Sequence, residues 1–213
     1  MKKKYLLDAN DAFKKMVFGW LNMGLRNLHV IPMITYEVTD ERVWAPADWR
    51  LYAQLFGIQP CCVLAKESQF TNGGRHDYFA MLLQENPRIL PATADIFVDP
   101  DTGLGDGRET HINAAEVAAL LRDRDRVVII YQHANRNQKQ IANDLQRRRG
   151  NINAALGGQA HTFTFGIRTT SICLYFFSLN ESRLKKLKEI CQQQFGSMKS
   201  TRVFDGVKLL DKR

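Results

Sequence analysis

The feature that most constrains the fold is the alternation of short apolar runs with helical patterns from Ile89 onward. Ala94 to Asp99 and Arg126 to Gln132 predict buried strands, while Asn113 to Leu121 and Gln138 to Arg149 predict helices. Strands that alternate with helices are typical of a parallel sheet with right-handed crossovers. We therefore expect an α/β fold.

The chain before Ile89 predicts three helices and one strand. Leu28 to Tyr36 is apolar enough for a strand, although Pro32 favours an irregular or edge position. A helix is predicted within Pro46 to Gly57, because proline stands near its start and glycine follows its end. Another helix is expected over His76 to Gln84. The first helix is expected to bury one shared face, formed by Phe13, Met16, Val17, Trp20 and Leu21.

The last third of the chain predicts an antiparallel pair of strands and a final helix. His161 to Ile167 and Ser171 to Leu179 are rich in β-forming residues and indicate a closing hairpin. Gly150 to Gly158 is interpreted as a flexible loop before it. A basic helix follows over Glu181 to Gln194, and Lys199 to Arg213 is a basic, weakly patterned tail.

Composition indicates an ordinary globular protein. A length of 213 residues without an internal linker favours one domain over 1–213. No apolar run reaches the roughly 20 residues of a membrane-spanning helix, and acidic residues interrupt the N-terminal segment where a signal peptide would need an apolar core. Four cysteines without zinc spacing predict reduced thiols and a cytoplasmic protein. The net charge of +8 favours a polyanionic partner, with nucleic acid foremost.

The candidate functional centre is the segment Asp99-Pro100-Asp101-Thr102-Gly103, which directly follows a predicted strand. The next predicted strand ends at Gln132-His133. Because ligands bind outside the carboxyl ends of parallel strands, these polar groups are expected to converge in one crevice. The candidate catalytic residues are Asp99, Asp101 and His133. The alternative interpretation of the segment is turn chemistry alone.

Several common nucleotide and metal motifs are excluded by the residues of this segment. Gly103, Gly105 and Gly107 are not accompanied by the Walker lysine and do not form G-x-G-x-x-G. An EF-hand is excluded because Leu104 and Thr110 occupy the positions of its glycine and its bidentate glutamate.

The motifs Asp11-Ala12-Phe13-Lys14, Asp99-Pro100 and Tyr131-Gln132-His133 resemble those of Rossmann-type S-adenosylmethionine-dependent methyltransferases. The chain is most similar to adenine-N6 rRNA methyltransferases, three-Cys-motif partner proteins and a bacterial and phage family with the same motifs. The resemblance implies a Rossmann-like three-layer sandwich with a mostly parallel sheet and a C-terminal antiparallel β-hairpin.

The same resemblance implies the cofactor and its contacts. S-adenosylmethionine is the expected cofactor, and a nucleic acid, DNA or RNA, is the expected substrate or partner. Asp99 is expected to bind the amine that accepts the methyl group, and Pro100 to form the motif turn. Lys14, Lys15 and Thr35 are the nearest candidates for contact with the cofactor.

The same part of the sequence is compatible with two other functions. In a metal-dependent nuclease, Asp99 and Asp101, together with Asp11 or Glu37, would hold Mg²⁺ or Mn²⁺, and His133 or Lys14 would assist hydrolysis. This hypothesis explains Asp101, which the methyltransferase pattern does not require.

The third hypothesis is a catalytically inactive module that binds nucleic acid or a protein. It would use Arg147-Arg148-Arg149 and the lysines of the last helix, namely Lys185, Lys186 and Lys188.

Overall fold

The computed structural model describes residues 9–33, 45–64, 79, 90–100, 103–105, 111–133, 138–167, 172–197, 201–205 and 208–209. The α-helices in these ranges are α1 (Ala9–Leu21), α2 (Pro46–Leu55), α3 (Ala114–Leu121), α4 (Gln138–Leu156) and α5 (Glu181–Phe195). The helix predicted over His76 to Gln84 lies outside the described residues except for Phe79, which is helical. No helix in the described ranges is long and apolar enough to cross a membrane.

The described strands form two sheets. They are β1 (His29–Pro32), β2 (Ile96–Asp99), β3 (Gly103–Leu104), β4 (His111–Ile112), β5 (Val127–His133), β6 (His161–Ile167), β7 (Ile172–Ser178), β8 (Thr201–Asp205) and β9 (Lys208–Leu209). The large sheet has the order β1-β2-β5-β7-β6-β8-β9, and β3 pairs with β4 in a small parallel sheet.

The large sheet is mixed, and the chain has a mixed α/β fold. The β1–β2 and β2–β5 pairings are parallel, whereas the pairings that join β5, β7, β6, β8 and β9 are antiparallel. The prediction of a mostly parallel sheet therefore holds only on the β1–β2–β5 side. β6 and β7 pair as expected, but residues 168–171 between them lie outside the described ranges, so the hairpin itself stays a prediction.

Helices bury apolar side chains against both faces of this sheet. Successive residues of a strand point to opposite faces. Phe97 and Ile129 therefore join the core formed with α1, α2 and α5, whereas Val98 and Ile130 join the core formed with α3 and α4. The ring of Phe97 lies 4.8 Å from that of Phe18, centroid to centroid, and anchors α1 on the sheet.

The helices described next after β1 and β2 lie on opposite faces of the sheet. After β1 this helix is α2, on the face of α1, and after β2 it is α3, on the face of α4. Val30 of β1 also bridges in parallel to Val63, on the side away from β2. In α/β proteins, the carboxyl ends of strands arranged in this way are where ligands bind.

At the opposite, amino edge of the sheet, a buried carboxylate ties several segments together. Asp95 accepts hydrogen bonds from the backbone N–H groups of Arg26 and Val127, and its Oδ2 forms a 2.6 Å ion pair with Arg183 of α5. A buried carboxylate that is paired and hydrogen-bonded in this way is satisfied by its surroundings. This edge is structural and has no part in the candidate site.

The edge position that Pro32 favoured is confirmed, since β1 is the first strand of the large sheet and Pro32 is its last residue. Two other sequence expectations are corrected by the fold. The loop expected from Gly150 to Gly158 is wrong, since α4 continues to Leu156 and buries Ile152. The tail contains strands β8 and β9, and β8 extends the sheet beyond β6.

Candidate functional site

A buried ionic cluster ties the carboxyl end of β2 to two helices. The Nζ atom of Lys14 lies 2.7 Å from Oδ2 of Asp99 and 3.1 Å from Oδ1 of Asp11. The hydroxyl of Tyr52 on α2 donates to the same Oδ2 of Asp99 at 2.8 Å. The side chains of Lys14 and Asp99 are only 4% and 2% exposed. The last residue of β2 is thus held by α1 and α2 together.

The electrostatics of this cluster keep Lys14 charged and Tyr52 protonated. Burial alone would lower the pKa of Lys14, but the nearby carboxylates of Asp99 and Asp11 outweigh burial, and the pKa is raised. Burial and the charge of Asp99 raise the pKa of the Tyr52 hydroxyl well above its ordinary value. Both groups are therefore fixed hydrogen-bond donors at neutral pH.

The buried position of Lys14 corrects the expected face of α1. Met16 and Trp20 are 38% and 43% exposed, and Phe18 is buried in their place. Lys14 lies on the buried face beside Phe18, and its ammonium group sits 4.6 Å from the ring centroid of Tyr131 on β5. Of the two lysines named as candidates for cofactor contact, Lys14 is therefore buried and Lys15 is exposed.

The segment after Asp99 is held by a side chain of β5. Gly103 has φ +98°, a conformation that favours glycine, and a Cβ atom there would overlap the amide of Gln132. The backbone N–H of Leu104 donates to Oε1 of Gln132 at 2.7 Å, and Nε2 of Gln132 donates to the carbonyl of His133 at 2.7 Å. The glycine thus lets the chain approach Gln132 closely enough to be fixed there.

Asp99 and His133 lie at the same edge of the sheet. β2 and β5 are parallel, and Val98 pairs with Ile130, so Asp99 is level with Tyr131 and His133 lies two residues further along. Side chains two residues apart in a strand share a face. The exposed ring of His133 makes an edge-to-face contact with that of Tyr131 at 5.2 Å between centroids.

The other candidate residues are placed as follows. Pro100 is buried directly after Asp99. Asp101 and Thr35 lie outside the described residues. The sequence did not point to Tyr52 as part of the site. Asp11 was expected as a metal ligand and as part of the Asp11-Ala12-Phe13-Lys14 motif. The spacing of Asp11 and Lys14, one helical turn apart beside apolar residues, is the signal that points to a buried pair.

Lys14 also bears on the metal hypothesis. Its ammonium group lies 2.7 Å from Oδ2 of Asp99, and a divalent cation bound to the same carboxylate would be repelled by it. Across the described ranges, no group of three or more His, Cys, Asp or Glu side chains is arranged to hold a metal ion. Asp101 and Glu37, which the hypothesis also uses, lie outside those ranges.

Comparison of the chain with known protein families, with curated proteins and with solved structures finds no match in any of the three.

Proposed function

We propose that the chain is a methyltransferase-like protein with a Rossmann-like layered fold that binds S-adenosylmethionine at the carboxyl ends of β1 and β2. The observation that carries the proposal is the placement of Asp99. It ends the parallel strand β2 where the helices described next after β1 and β2 lie on opposite faces, and buried contacts hold it in position. This is the part of an α/β sheet where nucleotide-type ligands bind.

The chemistry of Asp99 fits a ligand that presents an amine or a positive charge. Both described donors, Lys14 and Tyr52, go to Oδ2, and Oδ1 accepts no hydrogen bond from the described residues. An ionised carboxylate oxygen is a strong acceptor for an N–H group. Asp99 is therefore assigned to the recognition of the amine that receives the methyl group, with Pro100 shaping the turn beside it.

Lys14 fits a positioning role better than direct contact with the cofactor. Its ammonium group is directed at Asp99, Asp11 and the ring of Tyr131, and it is buried. A group whose donors are already used has little left for a ligand. When bound, S-adenosylmethionine supplies the methyl group, and the contribution of Lys14 is to fix the carboxylate of Asp99.

The nuclease hypothesis is supported less well by the same geometry. It requires a cation at Asp99, where Lys14 already provides the positive charge. One experiment tests the nuclease hypothesis directly. Cleavage of DNA or RNA that depends on Mg²⁺ or Mn²⁺ and is abolished by Asp101→Asn would favour it over methyl transfer.

Isothermal titration of the full chain with S-adenosylmethionine and, separately, with S-adenosylhomocysteine tests the proposal. Lys14→Met and Lys15→Met form a matched pair, since each removes one lysine charge from neighbouring positions of α1. We expect the wild type and Lys15→Met to bind alike. Lys14→Met should bind at least tenfold more weakly, because the carboxyl end of β2, where the cofactor is proposed to bind, loses the ion pair that holds it to α1. Circular dichroism of each variant shows whether it is folded.

A second variant keeps the test informative if Lys14→Met does not fold. Tyr52→Phe preserves the packing of α2 and removes one donor to Asp99, so we expect weaker binding in a folded protein. Absence of any binding by the wild type at millimolar ligand would refute the proposal. Equal binding by the wild type, Lys14→Met and Tyr52→Phe would remove Asp99 and its anchors from the site.

A further inference from the structure

A second candidate site lies on the other face of the sheet, where α4 passes the start of α3. The surface there forms a small, shallow depression that is partly open to solvent. It is lined by Leu104, Gly105, Ala114, Arg147, Arg148 and Asn151. Leu104 is hydrogen-bonded to Gln132 of β5, so the depression belongs to the same carboxyl edge as Asp99.

Two guanidinium groups at this depression share one carboxylate. Nη2 of Arg147 lies 2.8 Å from Oδ1 of Asp144, and Nε of Arg148 lies 2.5 Å from Oδ2. Tyr175 of β7 donates to the same Oδ2 at 3.1 Å. Burial would raise the pKa of Asp144, but the hydrogen bonds from Arg147 and Arg148 outweigh it and lower the pKa. Both guanidinium groups are therefore anchored on the carboxylate of Asp144.

The guanidinium group of Arg148 is held in a fixed position. The side chain of Arg148 is only 15% exposed and is held by Asp144 through Nε, and its two Nη groups donate no hydrogen bond to the described residues. Arg147 is 64% exposed at the rim. A guanidinium group fixed at one end offers a pair of parallel N–H groups that match the oxygens of a phosphate.

We propose that this depression binds a backbone phosphate of a nucleic acid strand laid across the carboxyl edge. The inference rests on the proposed function in one respect: it names nucleic acid as the substrate class of the Asp99 site. Phosphate is favoured over the carboxylates of an acidic protein, because a phosphodiester chain supplies evenly repeated charges that reach both the depression and the edge.

Fluorescence anisotropy with a labelled 20-nucleotide single-stranded RNA, and with DNA of the same sequence, tests this site at several salt concentrations. The variant Arg147→Gln/Arg148→Gln removes two charges from the depression. Its matched control is Lys185→Gln/Lys186→Gln, which removes two exposed charges from α5 on the other face. Arg147→Gln alone is the fallback if the double variant is unstable.

We expect the arginine variant to bind more weakly and to depend less on salt. Loss of the one phosphate contact makes the slope of log affinity against log salt shallower by about 0.7 for a single strand. The control variant should retain the wild-type slope. An equal change in both variants would show that only net charge matters, and equally tight, equally sensitive binding of poly-glutamate would show that phosphate is not required. Either result would overturn the proposal.

Titration of the arginine variant with S-adenosylmethionine separates the two proposals. Unchanged cofactor binding with weaker RNA binding is the expected pair of results. If the wild type binds RNA through these arginines but never binds S-adenosylmethionine, the proposed function fails while the phosphate site stands. If the wild type binds the cofactor but no nucleic acid, the phosphate site fails alone.

Discussion

Replacement of Lys14 by methionine is the sharpest test of the site because it removes one charge from a buried cluster and little volume. The methionine follows the path of the lysine stem, so the packing around this buried side chain is largely preserved. The carboxylates of Asp99 and Asp11 lose the ammonium group that lies 2.7 Å and 3.1 Å away. The dominant effect is then electrostatic.

The expected loss of stability follows from that geometry. Removal of one partner from a buried ion pair costs about 3–5 kcal/mol, because the remaining charge stays buried without compensation. For chains of 150–250 residues, each kcal/mol lowers Tm by about 2–4 °C, so a decrease of roughly 6–20 °C is expected. Lys15→Met changes an exposed side chain and should stay within about 0.5 kcal/mol of the wild type.

Urea unfolding followed by circular dichroism gives the free energies of unfolding. A double-mutant cycle with Asp99→Asn adds a second check, since neutralising Asp99 removes most of the uncompensated charge. We expect Lys14→Met/Asp99→Asn to be less destabilised than the sum of the two single variants. A cost below about 1 kcal/mol for Lys14→Met, equal to that of Lys15→Met, would refute the argument that the cluster holds the edge together.

The pH dependence of the same variant has a definite sign. The pKa of Lys14 is raised in the folded protein above its ordinary value of 10.5, so folding favours the protonated lysine. Its stabilising contribution is full below pH 10.5 and is lost as pH rises through the folded pKa. The difference in unfolding free energy between wild type and Lys14→Met should therefore be constant from pH 7 to 9 and shrink above pH 10.5. A difference that grows in that range would contradict the assignment.

Two further predictions concern backbone strain and thiol reactivity. Gly103→Ala should destabilise the protein by about 1–3 kcal/mol in urea unfolding, since alanine is strained at φ +98° and its Cβ meets the glutamine amide of β5; an unaffected protein would show that this loop adapts freely. In the native protein a disulfide reagent should modify the exposed Cys61 before Cys191, because Cys191 is buried and burial raises its pKa to about 12. Mass spectrometry of the labelled peptides gives the order, and early labelling of Cys191 would contradict its burial.

Local sequence patterns predicted the helices whose ends are formed by residues close in sequence. Helix α3 follows Asn113, which caps it by accepting from the backbone N–H of Glu116 while Glu116 accepts from the N–H of Asn113. Helix α2 likewise begins at its proline and ends before Gly57, which has φ +64°. These helix boundaries depend on residues that are close in sequence, so they can be predicted from one sequence.

Elements that depend on distant partners were predicted less well. Strand β8 is paired with β6, from Phe163 to Ile167, and its own residues do not reveal that partner. The end of α4 was also predicted wrongly. Glycine at position 150 favours a helix end, but Ile152, two residues later, is buried in the core. Tertiary burial outweighed local propensity there.

The candidate site was predicted in part. The position of Asp99 at a strand end came from the sequence, as did the placement of His133 on the neighbouring parallel strand. The burial of Lys14 did not, because lysine is rarely buried and its partner Asp99 lies 85 residues away. Tyr52 could not be found from its surroundings in sequence, since only the packing of α2 brings its hydroxyl to Asp99.

The separation between Lys14 and Asp99 also sets an order of events during synthesis. Lys14 is translated 85 residues before the carboxylate that neutralises it. At about 5–20 residues per second, the ribosome needs roughly 4–17 s to reach Asp99. Throughout that interval Lys14 has only Asp11 of its own helix as a partner, and the apolar face of α1 has no β2 to cover it. The nascent chain therefore cannot close this edge of the sheet until Asp99 has been made.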